Sequence, residues 1–308
     1  MFRAWARPAA PGLCLAFVSM IAVCAAVSAQ QTPKAHLPPA PRLIILPPKL
    51  LAATQATLAV LDSQGRLLPG VEVELSGGQK VTTDATGRAI FSVAAAPGVL
   101  TAKAHGREQS ASAIIVAQDD SASAGAAEGT ANVAKVISYP HILAVHDRFT
   151  VEGSGFRGVA DSNHVYLNGD SCLVVASSPV SLVVLPGPSV PVGDVNLRVT
   201  VAGADAGQFP VSAVLLEFTG PSESVDAGTT GRLFVHAHGT AEPLLLEVRN
   251  GSPAVIHLEK GNVQRVKTSG GEDNSAPVEV KFLSGGNYAV FARLLAPEIG
   301  VAVSREHN

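Results

Sequence analysis

Apolar and polar residues alternate along most of this chain with a period of two, in short runs cut apart by glycine, proline and asparagine. The clearest run is Val71-Glu72-Val73-Glu74-Leu75. As an extended strand it puts three apolar side chains on one face and both carboxylates on the other. Residues 56–62, 80–83, 88–93, 99–104 and 110–116 read as further strands. They are separated by turn signals at Ser63-Gln64-Gly65-Arg66, Gly77-Gly78, Asp84-Ala85-Thr86-Gly87 and Pro97-Gly98. A second set follows at Val136-Ile137-Ser138-Tyr139-Pro140 and 147–156, where Phe149 and Val151 point inward between Thr150 and Glu152, and then at 163–169 and 193–201. Asn168-Gly169 is a strong hairpin signal. A third set covers 214–218, 232–238, 244–248, 255–258, 264–267, 278–283 and 288–294, with turns at Ala227-Gly228, Asn250-Gly251, Gly270-Gly271 and Gly285-Gly286. So many short strands at this spacing predict an all-β chain of tandem β-sandwiches.

Composition agrees with that pattern. Of 308 residues, 47% are hydrophobic and only 15% charged, with 29 Gly and 21 Pro, which excludes a coiled coil and a disordered polyelectrolyte. Arg3 and Arg7 precede an apolar stretch at 13–27 and the small-residue site Val27-Ser28-Ala29, so residues 1–29 read as a signal peptide cleaved after Ala29. The rival reading of an uncleaved span needs about 20 apolar residues. A lipoprotein reading at Ile21-Ala22-Val23-Cys24 is opposed by Val23, where a small residue belongs. Loss of Arg3 and Arg7 moves the formal charge from −3 to −5, which leaves no basic footprint for nucleic acid. Cys14 and Cys24 fall in the leader, so Cys172 is alone in the mature chain and no internal disulfide forms. Beside Leu173 and Val175 it reads as a half-buried strand cysteine rather than a nucleophile.

The expected organisation is a signal peptide at 1–29, a Pro-rich linker at 30–41, a sandwich at 42–117, a flexible small-residue linker at 118–132, a second sandwich at 133–202 and a third module at 209–308. The linker predicts that the first sandwich moves independently of the other two, whereas the short join at 202–209 lets the second and third dock.

Two segments resemble known families. Val71-Glu72-Val73-Glu74-Leu75 followed by Thr82-Thr83-Asp84-Ala85-Thr86-Gly87-Arg88-Ala89-Ile90-Phe91 resembles bacterial Ig-like repeats of the intimin/invasin type and carboxypeptidase-regulatory-like modules, which implies a spacer or surface module. Val136 to Pro140, Asp147-Arg148-Phe149-Thr150-Val151-Glu152-Gly153-Ser154-Gly155-Phe156, Asn163 to Gly169 and Gly193 to Val201 resemble an IPT/TIG domain over nearly all of 133–202. That implies an Ig-like fold, with Phe156 plugging the end of the sandwich and Gly153-Ser154-Gly155 turning a corner. The family's Gly-Asp or Gly-Gly before its second strand is replaced by His146-Asp147.

The residues offer little chemistry. Gly153-Ser154-Gly155 lacks the spacing of a nucleophile elbow, and there is no phosphate loop, H-E-x-x-H or C-x-x-C. Glu72 and Glu74 on one strand face are solubilising charge, because glycosidase acids converge from separate elements. Asp84 reads as the cap of its own turn rather than a calcium ligand. The best metal candidate is His236-Ala237-His238, with His257 and Glu259 as distant partners, but a zinc site wants a third ligand. The only Trp, Trp5, is in the leader, which leaves Tyr139, Tyr166, Tyr288 and the phenylalanines as sugar platforms. No catalytic, cofactor or metal residue is assigned and no cofactor is implied. The reading is an exported non-enzymatic protein, periplasmic, cell-surface or extracellular, acting in protein–protein interaction, adhesion or spacing at the bacterial cell envelope. Its partner is a protein or a cell-surface glycan, not nucleic acid, and it has no membrane span after signal cleavage. Alternatives are a polysaccharide-binding accessory protein and a metal-dependent enzyme in the last module.

Overall fold

The computed structural model describes residues 43–62, 65–104, 110–118, 133–221, 225–295 and 299–301. The leader, the Pro-rich linker and most of the 118–132 segment lie outside these residues. The strands in chain order are β1 Leu43–Ile45, β2 Lys49–Leu51, β3 Gln55–Leu61, β4 Glu72–Leu75, β5 Lys80–Thr82, β6 Arg88–Ser92, β7 Gly98–Ala104 and β8 Ser110–Val116. They continue with β9 Lys135–Pro140, β10 Ile142–Ala144, β11 Phe149–Ser154, β12 Asn163–Leu167, β13 Asp170–Ser178, β14 Ser181–Leu185, β15 Gly193–Val201 and β16 Ala204–Thr219. The last are β17 Thr230–His238, β18 Leu245–Asn250, β19 Ile256–Leu258, β20 Val263–Lys267, β21 Ser275–Phe282, β22 Val290–Leu294 and β23 Ile299–Val301. A single 3-10 turn at Ala160–Ser162 is the only helical element among the described residues.

In the first sandwich β1-β3-β6 faces β2-β8-β7-β4-β5, closing over Leu50, Leu58, Val73, Phe91 and Ala102. Two short strands, β1 and β2, precede those expected from alternation. Pro47-Pro48 cannot donate to a ladder, so the chain changes sheets there: β1 runs antiparallel to β3 and β2 parallel to β8. In the second sandwich β9-β11-β14-β13 faces β12-β15-β16-β10. Val151, Val165, Leu182, Leu197 and Val199 lie between the sheets with Phe149 and Phe156. Strand β13 crosses over: Asp170–Cys172 pair with β12, while residues 173–178 pair with β14. In the third sandwich residues 215–219 of β16 join β17, β21 and β19, opposite β20-β18-β22. Leu233, Val248, Ile256 and Val280 form its centre.

Two boundaries differ from the expectation. Residues 202–209 are not an inter-domain join. Ala202 and Gly203 form a two-residue hairpin turn with φ of 49° and 85°, and residues 204–213 return along β15 as part of the second sandwich. The alanine disguised the turn, since φ > 0 normally selects Gly, Asn or Asp. The third module therefore does not start at 209: β16 runs unbroken for 16 residues through both sandwiches, joining them by one continuous strand.

The first sandwich is also packed against the second rather than independent of it. Thr57, Ala59 and Leu61 form the outward face of β3 and are buried along with its inward face. Ile45, Ala59 and Leu61 meet Val175, Ala176 and Val183. Strands apolar on both faces must be covered on both, and the small Ala59 and Ala176 let the sheets approach closely.

Candidate functional site

The residues singled out by sequence fall in ordinary structural roles. Asp84 Oδ1 accepts from the Thr86 backbone N–H (2.8 Å), the Thr86 hydroxyl (2.6 Å) and the Arg88 N–H (3.2 Å), closing its own turn. The Thr86 hydroxyl chiefly holds its carboxyl below the usual range. Glu72 pairs with Lys80 at 3.0 Å, and Glu74 stands exposed beside it on β4. Cys172 is buried on β13, and desolvation pushes its thiol up. Ser154 is exposed at the end of β11. His146 takes an ordinary backbone conformation, not among the positive-φ residues, so the family's glycine is not required there.

His236 and His238 do share the outward face of β17, with ring centroids 6.1 Å apart. His236 is held on both nitrogens, by the Thr219 hydroxyl at 2.8 Å and by Asp273 at 3.4 Å. His238 lies 3.5 Å from Glu217. His257 pairs with Lys281, which pairs in turn with Thr230, at the opposite end of the sheet. Among the described residues no three His, Cys, Asp or Glu side chains gather as metal ligands.

The site that sequence reasoning missed is a cleft of about 790 Å³ where the three sandwiches meet. Leu43 and Leu61 enter it from the first sandwich, His146 and Arg148 from the second, and Glu247, Arg249, Phe291 and Arg293 from the third. The third-sandwich wall follows from strand register, because Arg249 faces Phe291 and Glu247 faces Arg293 across β18 and β22. Glu247 accepts from Arg293 Nε (3.0 Å) and Arg249 Nη2 (3.3 Å). These contacts, Arg293 first, hold its carboxyl below the usual range. Phe291 is 59% exposed and Leu43 45%. One signal was readable: alternation along Val290-Phe291-Ala292-Arg293-Leu294 sends Phe291 outward with Arg293, an aromatic side chain where a polar one belongs. The other walls come from distant segments and leave no local pattern.

A second recess, about 760 Å³, lies on the outward face of the second sandwich over β12, β15 and β16. Its lining includes His164, Tyr166, Asn196, Arg198, Thr200 and Gln208. Of the three tyrosines, Tyr139 is buried against Phe209 (4.7 Å between centroids) and Tyr288 packs edge-on to Phe282 (5.9 Å). Tyr166 stands on this open face.

No helix among the described residues is long and apolar enough to cross a membrane. No curated protein matches the chain in sequence. Several solved structures show a low overall likeness to the chain. SGBP-B of the Bacteroides ovatus mixed-linkage glucan utilization locus, in complex with a mixed-linkage heptasaccharide, is 14% identical with a TM-score of 0.21, over 80% of this chain and 59% of that one. The plexin A4 extracellular region, domains 1 to 8, is 13% identical with a TM-score of 0.32, over 84% and 33%. The ICAM-5 D1–D4 ectodomain fragment is 16% identical with a TM-score of 0.20, over 83% and 75%. The chain thus spans less than two thirds of the length of the first two. Residues 140–218 match the IPT/TIG domain model, a span that reaches past the expected boundary at 202 and takes in the hairpin and long strand described above. The likeness to the IPT/TIG domain is thus carried by this second sandwich and the long strand that leaves it.

Proposed function

We propose that this is an exported, non-enzymatic multidomain Ig-like protein that acts by protein–protein interaction, in adhesion or spacing at a bacterial cell envelope, with the three-sandwich cleft as its contact site. The first sandwich serves as a bacterial Ig-like spacer that braces one wall of the cleft. The observation that carries this reading is the exposed Phe291 set beside Arg249 and Arg293 on β-strands. Aromatic and arginine side chains are the residue types that dominate protein interfaces. Placed on strands rather than loops, they lose little freedom on binding.

Export predicts a mature N-terminus at Gln30, read by sequencing the secreted form. A photo-crosslinking side chain at position 291 tests the contact in intact cells. One defined envelope protein should be captured at 291, and capture from a neighbouring label at 249 should be lost on Phe291→Ser without a change in melting temperature. Diffuse labelling, unaffected by Phe291→Ser, would remove the cleft from this role. The non-enzymatic reading predicts that a chelator leaves the melting temperature unchanged. Stoichiometric metal lost together with stability, and abolished by His236→Ala, would instead favour a metal centre.

A further inference from the structure

We propose that the outward face of β12, β15 and β16 in the IPT/TIG domain binds a neutral oligosaccharide, a function separate from the protein contact assigned to the cleft. The strand register builds the site. Tyr166 lies beside Ser171 on one side and Arg198 on the other, and Arg198 lies beside Gln208. These four side chains form one row across four strands. His164 with Thr200 makes a flanking row. Neighbouring strands are about 4.8 Å apart, close to the length of one hexose unit, so the row offers about one hydrogen-bonding side chain per sugar.

The chemistry of the face selects the ligand. Other solvated faces of this protein carry pairs of opposite charge, such as Glu72 with Lys80 and Arg232 with Glu279. The recess lining has no Lys, Asp or Glu, and its one fixed charge, Arg198, is partnered by Asp205 at 3.4 Å. An anionic or cationic polymer finds little net charge there. Amide, imidazole and guanidinium groups instead present donors and acceptors side by side, suited to adjacent sugar hydroxyls. The Tyr166 ring supplies a flat surface for the C–H face of a sugar. Among the described residues, the side chains of His164, Tyr166, Asn196 and Gln208 have no protein hydrogen-bond partner, so they are open to a ligand. The platform is also fixed in advance. Positive-φ turns at Asn168-Gly169 and Ala202-Gly203 hold its hairpins, and Asn168 Oδ1 accepts the Asn196 N–H at 2.8 Å. With the backbone held on strands, only side-chain freedom is left to lose on binding.

Affinity electrophoresis of the whole mature chain tests this, in gels containing dextran, galactomannan or laminarin, with polygalacturonate and alginate as acidic counterparts. At least one neutral polymer should retard the protein. Tyr166→Ala should weaken that affinity about tenfold, about 1.4 kcal/mol, and Gln208→Ala should weaken it as well. Tyr166→Phe, which keeps the ring, should stay within about threefold, less than half that energy. Phe291→Ser should leave retardation unchanged, so that loss of the cleft contact and loss of glycan binding are read separately. The proposal fails if no neutral polymer retards the chain, if only the acidic polymers do, if Tyr166→Ala binds as the wild type does, or if Tyr166→Phe loses binding as fully as Tyr166→Ala.

Discussion

The hydroxyl of Thr57, on β3 of the first sandwich, donates at 2.6 Å to the carbonyl of Gly158 in the second. The same carbonyl accepts from Ser177 Oγ at 2.8 Å, and the Ala160 N–H reaches back to Thr57 Oγ1 at 3.3 Å. This knot lies beside the apolar contact of Ala59 with Ala176, and every polar group named in it has a partner, as a buried interface requires. Glycine is needed at 158 for space alone: a Cβ there would run into the backbone carbonyl of Gln55.

Gly158→Ala should therefore wedge the two sandwiches apart, at a cost of about 1 to 3 kcal/mol as for other overpacked contacts. With the chain cut at a protease site engineered into residues 119–130, the wild-type halves should co-elute in gel filtration. The Gly158→Ala halves should separate. Thr57→Val leaves the Gly158 carbonyl to Ser177 but takes the acceptor from the buried Ala160 N–H, so it should cost about 1 to 3 kcal/mol and, with nothing wedged between the sheets, keep the halves together.

Ala202 tests the hairpin that replaced the expected domain join. An L-residue with side chain in the left-handed region is disfavoured by roughly 1 to 2 kcal/mol, and Asn tolerates that region far better. Ala202→Asn should raise stability by about 0.5 to 1 kcal/mol, read from denaturant midpoints at unchanged slope. A loss of stability would mean that the turn is not a two-residue positive-φ hairpin.

The fold was legible where one face of a strand is wet. Val71 to Leu75 and 232–238 show their burial in their alternation, and the other strands of the third sandwich fall where apolar runs stand between turn signals. It failed where packing between sandwiches buries the second face. In the β13–β14 hairpin, residues 174–178 and 181–184 are buried on both faces, with Val175, Ala176 and Val183 at that interface, so no wet face is left there to alternate. The cleft was illegible for a related reason, since Leu43, Arg148 and Phe291 are brought together only by the packing of three sandwiches. His236 and His238 were placed correctly on one face, but their partners Thr219, Asp273 and Glu217 come from neighbouring strands and loops that spacing alone does not supply.

Acid should weaken the chain through two carboxylates. Asp84 and Glu247 are held below the usual range, by the Thr86 hydroxyl and the Arg293 guanidinium respectively. A depressed folded-state value adds stability that is fully present above the unfolded value, about pH 4, and is lost as pH falls through the folded value. Calorimetric scans should show the melting temperature falling through this acid window. Asp84→Asn and Glu247→Gln should each flatten the fall, while leaving the slope above about pH 6 unchanged.

Arg88 closes the interface from the other side. It is only 9% exposed, and its Nη1 donates to the Val174 carbonyl at 3.2 Å and meets Asp161 at 2.8 Å. Its Nε donates to the Thr86 hydroxyl at 3.1 Å. The Asp161 side chain is 75% exposed, so solvent screens that pair, and Asp161→Ala should cost no more than about 1 kcal/mol. Arg88→Ala removes more: the aliphatic stem packed at the junction and charge-assisted bonds worth about 1.5 to 3 kcal/mol each where they are buried. It should cost about 2 to 4 kcal/mol and loosen the cut halves as Gly158→Ala does. The double variant separates the two contributions. If the ion pair with Asp161 carried the interface, the two single changes would cost the same and the double no more than either. If the buried bonds and stem carry it, Arg88→Ala alone should account for nearly all of the loss.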